Sequence, residues 1–361
     1  MRLSIFILLT LFVSNFYGQS SSSTPKYSNE FLNIGVGARA LGMSNSIIAS
    51  TNDVHSGYWN PTGLTNLASD LQVGLMHAEY FAGIAKYDYG AIAKRIDSTS
   101  AFSVSFIRFG VDNIPNTTEL IDAQGNINYD RISYFSAADM AFLLSYGKKL
   151  KGGLSLGGSA KIIHRQVGDF AKAWGFGLDF SASYQYKKWR FAALARDITT
   201  TFNAWSYNLS DEMLETFTLT GNEIPENGLE ITLPRIIIGA SRTVDIGENF
   251  NLITELDADV TTDGMRNVLI SASPFSIDPH FGMELGFKNM IFLRSGVGNI
   301  QRSTEFNGKE ITTVQPNIGL GIKIKGLSID YALTDIGDAS VALYSNIFSL
   351  RFNLNPKSIS N

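Results

Sequence analysis

Two-residue alternation limits what this chain can become more than any other feature, and it is clearest in residues 173–186, AWGFGLDFSASYQY. Trp174, Phe176, Leu178, Phe180, Ala182, Tyr184 and Tyr186 fall on one side, and Gly175, Gly177, Asp179, Ser181, Ser183 and Gln185 on the other. Only an extended strand sorts side chains in that way. One such strand suits a soluble sandwich as well as a membrane wall, so the number of repeats decides.

The pattern recurs from Leu71 almost to the end of the chain. Tyr87, Tyr89, Ala91 and Ala93 oppose Asp88, Gly90 and Lys94; Phe281, Met283, Leu285 and Phe287 oppose Gly282, Glu284, Gly286 and Lys288. The last run sets Phe348, Leu350, Phe352 and Leu354 against Ser349, Arg351 and Asn353, and Pro356 ends it because proline cannot donate to a ladder. There are about fourteen such segments, each near the nine to eleven residues that a tilted strand needs to cross a bilayer. Tight turns such as Asp97-Ser98, Lys187-Lys188 and Asn289-Met290 alternate with longer connections at 110–137, 199–233, 261–278 and 299–315. Short turns on one rim and long loops on the other is the outer-membrane pattern. An open sheet of this size would leave an unpaired edge, which hydrocarbon does not tolerate. Charged residues at 17% are also too few to coat the outside of a sandwich. The expected fold is therefore all-β: a transmembrane antiparallel β-barrel of about 14 strands over residues 68–355, followed by a short periplasmic tail, 356–361.

The start of the chain has a different character. Met1 and Arg2 precede an apolar run, 3–13, and a polar stretch, 18–21, so residues 1–19 read as a cleaved secretory signal. With no cysteine there is no disulfide and no lipid-modified N-terminus. Residues 20–67 read as a polar lead followed by a compact, glycine-punctuated hatch without sustained alternation, which a barrel lumen would have to house. The net charge of −4 argues against a nucleic-acid partner. His55, His77, His164 and His280 have no metal spacing, and no hydrolase or nucleotide motif occurs. The expectation is a non-enzymatic protein with no catalytic, cofactor or metal residues.

If the polar faces point inward, the lumen gathers Glu255, Asp257, Asp259, Glu284 and Asp330 near Lys161, Lys323, Lys325 and Arg351. The expected role is a self-neutralising network that keeps the interior hydrogen-bonded. A calcium or solute site built by the three alternating acids is the sharper alternative. Arg39, alone in an uncharged run of the hatch, is expected to face the acids of the ninth strand, chiefly Glu255 or Asp257. In the 199–233 connection, Trp205, Tyr207, Met213, Leu214 and Phe217 are unusually apolar for a loop. They are candidates either for packing over the barrel mouth or for contact with a partner.

The hatch also carries a resemblance. Gly37-Ala38-Arg39-Ala40-Leu41-Gly42-Met43, then Asn52-Asp53, then Tyr58-Trp59-Asn60-Pro61-Thr62-Gly63-Leu64 resembles the N-terminal signature of the FadL superfamily, fourteen-stranded barrels plugged by an N-terminal hatch. Tyr58-Trp59 and the closing 347–352 run are more similar to the PorV/PorQ branch associated with type IX secretion in Bacteroidota, with Thr62 standing where alanine is usual. That resemblance implies a bacterial outer-membrane protein that binds secreted cargo, the type IX translocon or an attachment complex through external loops. The alternatives are FadL-like transport of small hydrophobic molecules and an accessory role in another outer-membrane assembly. Within the hatch, Gly37, Arg39, Gly42, Asn60, Pro61 and Gly63 are read as structural, with Asn60-Pro61 fixing a turn.

Overall fold

Two-residue alternation becomes a closed wall because each strand pairs on both sides. The computed structural model describes residues 28–118, 120, 126–304, 308–334 and 344–356; the expected signal, the polar lead and the tail beyond Pro356 lie outside them. In chain order the strands are β1 (Ser69–Tyr80), β2 (Ala85–Arg95), β3 (Ser100–Asn116), β4 (Ser133–Lys149), β5 (Leu154–Val167), β6 (Ala171–Tyr186), β7 (Trp189–Arg196) and β8 (Thr201–Tyr207). They continue as β9 (Gly228–Thr232), β10 (Arg235–Ile246), β11 (Phe250–Thr261), β12 (Ser276–Phe287), β13 (Ile291–Thr304), β14 (Glu310–Ile324), β15 (Leu327–Thr334) and β16 (Ser345–Pro356). Neighbours in the wall are antiparallel, β10 pairs with β7, and the ring closes where β1 meets β16, with Leu75 opposite Leu350. Setting aside β8 and β9, fourteen of these sixteen strands form the barrel.

Inside and outside follow the alternation. Trp174 on β6 and Leu144 on β4 are each 55% exposed on the outer surface, the side that meets lipid. Their sequence neighbours Ser145 and Ala173 are buried, as are Ser103, Ser181 and Glu255. Tyr184, Tyr186 and Trp189 stand outward beside the 187–188 turn, where an interfacial aromatic girdle belongs.

The 199–233 connection is more ordered than its composition suggested. β8 continues the line of β7, pairs with the upper half of β6, and is itself paired by β9. Between them lies a helix, Asp211–Thr220, opened by Ser210, whose side chain accepts from the Met213 amide at 3.3 Å, and closed by Gly221 at φ 69°. The cues were present: an N-cap serine, acidic Asp211, and a terminal glycine. Breaks at 197–200 and at Leu233-Pro234 interrupt both strands, which hid β8 and β9 from a search for long alternation. The 110–137 connection shortens likewise, because β3 and β4 reach to Asn116 and back from Ser133 across a bulge between Val111 and Ile114.

Leu144 stands on the lipid-facing side of β4, between Phe142 and Tyr146, which face outward with it. Leu144→Arg is expected to lower folding stability by about 2–4 kcal/mol, the cost of a cation at the lipid midplane, as measured by urea titration in phospholipid vesicles.

Candidate functional site

A backbone enclosed in a barrel has no bulk water to satisfy it, so the wall must supply its partners. Residues 28–67 form only short turns, including Ala38–Leu41, Ser56–Trp59 and the 3-10 turn Pro61–Asn66, and they lie against inward-facing side chains from around the ring. Four consecutive amides are taken by two carboxylates of β11. Ile47 N and Ile48 N donate to Asp257 Oδ2 at 2.8 and 3.1 Å, and Ala49 N and Ser50 N donate to the two oxygens of Glu255 at 2.6 and 3.1 Å. Both acids are almost fully buried, at 1% and 0% exposure. A row of amides around an anion is a nest; here the anion belongs to the wall and the amides to the segment.

This arrangement corrects two expectations. Glu255 and Asp257 are occupied by backbone, and Asp259 instead meets Arg235 at 3.2 Å and His280 at 3.3 Å. The three acids therefore do not converge on a calcium ion, and no group of three or more metal-ligating side chains occurs among the described residues. Arg39 does not reach Glu255 or Asp257. It forks onto Glu284 one strand further on, with Nε–Oε2 2.9 Å and Nη2–Oε1 3.1 Å. Glu284 also accepts from Arg294 at 2.6 Å, and Arg294 reaches Asp330 at 2.7 Å. The result is a buried chain of alternating charge running from the segment into β12, β13 and β15. Arg294 was missed, although alternation through Phe292, Arg294 and Gly296 already turned it inward.

Arg351 pairs with Asp53 of the segment, and Asp53 also accepts from the His55 amide and ring nitrogen at 2.9 and 3.1 Å. Burial works to raise the Asp53 carboxyl, but the Arg351 guanidinium and His55 outweigh it and hold the group well below its ordinary 3.8. This carboxylate therefore stabilises the fold at pH above about 3.8, and the contribution fades as pH falls through the lowered value. Lys161 joins Asp179 at 2.9 Å and also Asp197. Lys323 and Lys325 stand apart: neither has an ion pair among the described residues, and Lys325 occupies the exposed β14–β15 turn.

The remaining motif residues hold the segment together. Asn60 donates to Ile48 O at 2.7 Å and accepts from Thr62 N at 3.1 Å, tying two turns across Pro61. Trp59 Nε1 donates to Val36 O at 2.8 Å, and Arg196 stacks over the Tyr58 ring at 4.8 Å. Gly37, at φ 87°, opens the first helical turn where a Cβ would press on His55. Gly42 packs against Gly319 and Gly63 against the Thr51 carbonyl.

Above the segment, on the side of the long loops, is a cavity of about 840 Å³, within the range of small-molecule sites. Its two walls differ. Tyr80 at the end of β1 and Phe109 on β3 form one, with Phe31, Ile34 and Trp59 of the segment as floor. Arg235, Asp259, Asp278 and His280, from β10, β11 and β12, form the other. Six strands separate β2 from β11 in either direction around the fourteen-strand ring, so the aromatic and charged walls face each other. The apolar connection residues divide. Trp205 and Tyr207 lie on β8, where Trp205 donates to Glu230 at 2.7 Å and carries Arg165 over its ring at 5.1 Å. Met213, Leu214 and Phe217 are half-buried on the helix.

Glu284 neutralises two arginines. Glu284→Ala is expected to cost about 3–5 kcal/mol, the penalty of stranding a buried charge, and Arg39→Ala less, because Glu284 keeps Arg294. Thermal melts, with hydrogen exchange at residues 38–42, measure the difference.

No protein-family model and no curated protein matches the sequence. The fold does have solved counterparts. The Pseudomonas putida toluene transporter TodX is similar with a TM-score of 0.56 at 11% identity, covering 89% of this chain and 98% of that one. The CymD monoaromatic hydrocarbon channel gives 0.54 at 13% identity, and the Ralstonia pickettii toluene transporter TbuX 0.52 at 12%, each with the same coverage. These counterparts are channels and transporters, not enzymes. The chain has the fold of the FadL-type barrels and is an outer-membrane protein.

Proposed function

We propose that the protein is a FadL-like channel that lets a small, largely hydrophobic molecule cross the outer membrane. The carrying observation is the cavity of about 840 Å³ above the N-terminal segment, with an aromatic wall facing a polar one. The segment acts as a plug: it fills the lumen beneath the cavity and is tied to β11, β12 and β16 by charges and backbone bonds. Passage then requires the segment to shift. The polar ties suit that role, since each can be exchanged for water one at a time.

A second reading keeps the protein-binding role of the PorV/PorQ resemblance. It rests on the segment's sequence signature and on the helix Asp211–Thr220, where Leu219 is 77% exposed. Affinity purification from the native membrane separates the two: recovery of translocon, attachment subunits or cargo favours this reading, and a lone barrel with a bound small molecule favours the channel.

The chain has no cysteine, so a paired substitution reports on one contact alone. Ala38 N donates to Ser349 Oγ at 3.0 Å. An oxidised Ala38→Cys/Ser349→Cys pair is expected to slow uptake of labelled toluene by intact cells severalfold, and a reductant to restore it. Equal uptake in oxidised, reduced and barrel-free cells would remove the channel reading.

A further inference from the structure

We infer that the cavity selects an amphipathic solute whose polar end is a cationic amine, held by Asp278 against the β10–β12 wall while its aromatic or aliphatic body lies on the opposite aromatic wall. This rests on the channel reading and names the substrate class of the same cavity.

The arginines lining the cavity each hold a partner, although Arg235 Nε has none. Arg235 holds Asp259 at 3.2 Å, Arg266 holds Asp263 at 2.6 Å, and Arg196 donates to the Leu32 and Tyr58 carbonyls at 3.4 and 3.2 Å. Asp278 has no hydrogen bond or ion pair among the described residues, and it lines the cavity. Its neighbour across the β11–β12 pairing is Asp259, directly in register, and like charges placed opposite one another repel. Asp259 is held by Arg235 and faced by His280, while Asp278 makes no ion pair or hydrogen bond of its own among the described residues. Two residues along the same inward face stands His280. Its Nε2 faces Asp259 at 3.3 Å, while its Nδ1 has no partner and its side chain is only 11% exposed. An unpaired carboxylate on the cavity wall, set against a second carboxylate across the strand pairing, calls for donors from the occupant, and an ammonium supplies three of them.

The aromatic wall accounts for the other end. Tyr80, Phe109 and Trp59 offer a surface for a ring or short chain. A pure hydrocarbon would fill that half and leave the charged half without a partner.

Three probes share one body and differ at the head: benzylamine, benzyl alcohol and benzoate. Calorimetric titration into the purified full-length barrel in detergent is expected to rank benzylamine first. Asp278→Asn is expected to cut the preference for benzylamine over benzyl alcohol by about ten- to a hundredfold, the range of one charged hydrogen bond. Asp278→Glu should recover part of it. Heat-modifiable gel mobility verifies that each variant is a folded barrel, and His280→Gln, which removes the ring standing two residues along the same face, gives a second variant with an expected smaller loss. Benzoate or benzyl alcohol binding most tightly, or an unchanged preference in Asp278→Asn, overturns the amine assignment and leaves the channel standing. Failure of all three probes to bind overturns both.

Discussion

Satisfaction of buried amides by wall carboxylates is the constraint on which the rest of this structure depends. A compact segment without long helices or strands carries many backbone donors that it cannot pair internally. Inside a barrel, the donors at 47–50 would cost about 1–3 kcal/mol each if left alone. Glu255 and Asp257 remove that cost, and in doing so they set the height and rotation of the segment. Once that turn is placed, Arg39 meets Glu284, Asp53 meets Arg351, and the upper face of the segment becomes the floor of the cavity.

The wall is shaped to the same end. An added Cβ at Gly296 would lie 2.3 Å from the Met43 carbonyl carbon, so β13 approaches the segment backbone as closely as a strand can. The inward side of the sheet therefore serves two purposes. Small residues admit the segment, and scattered charges hold it. Lipid sees neither, because alternation sends the aliphatic and aromatic side chains outward.

Much of the architecture was legible in the sequence, since a period of two states which side of a closed wall each residue occupies. The strands through Phe176, Leu285 and Phe352 could be read directly, and Glu255, Asp257 and Glu284 could be assigned to the inside. What alternation cannot state is which inward charge meets which. Arg39 was set against β11 and found β12, because a choice between adjacent strands depends on the rotation of the segment, which has no period. The cavity wall was equally hidden. Asp278 lies near the start of β12, beside Pro279, in a stretch that alternation assigned to the 261–278 connection. Arg294 and Arg235 were within reach of the same rule applied to strand ends.

The ties between the segment and β16 also bear on assembly. Ala38 bonds Ser349 and Asp53 bonds Arg351, partners separated by 311 and 298 positions. Contacts so distant in sequence form late, since the loop they close runs through the whole barrel. The residues ahead of β1 are thus among the last to find their place, and β1 cannot seal against β16 around an empty interior without leaving the segment outside. Barrel closure and segment docking are in that sense one event, with residues 28–67 waiting on β16 for their final contacts.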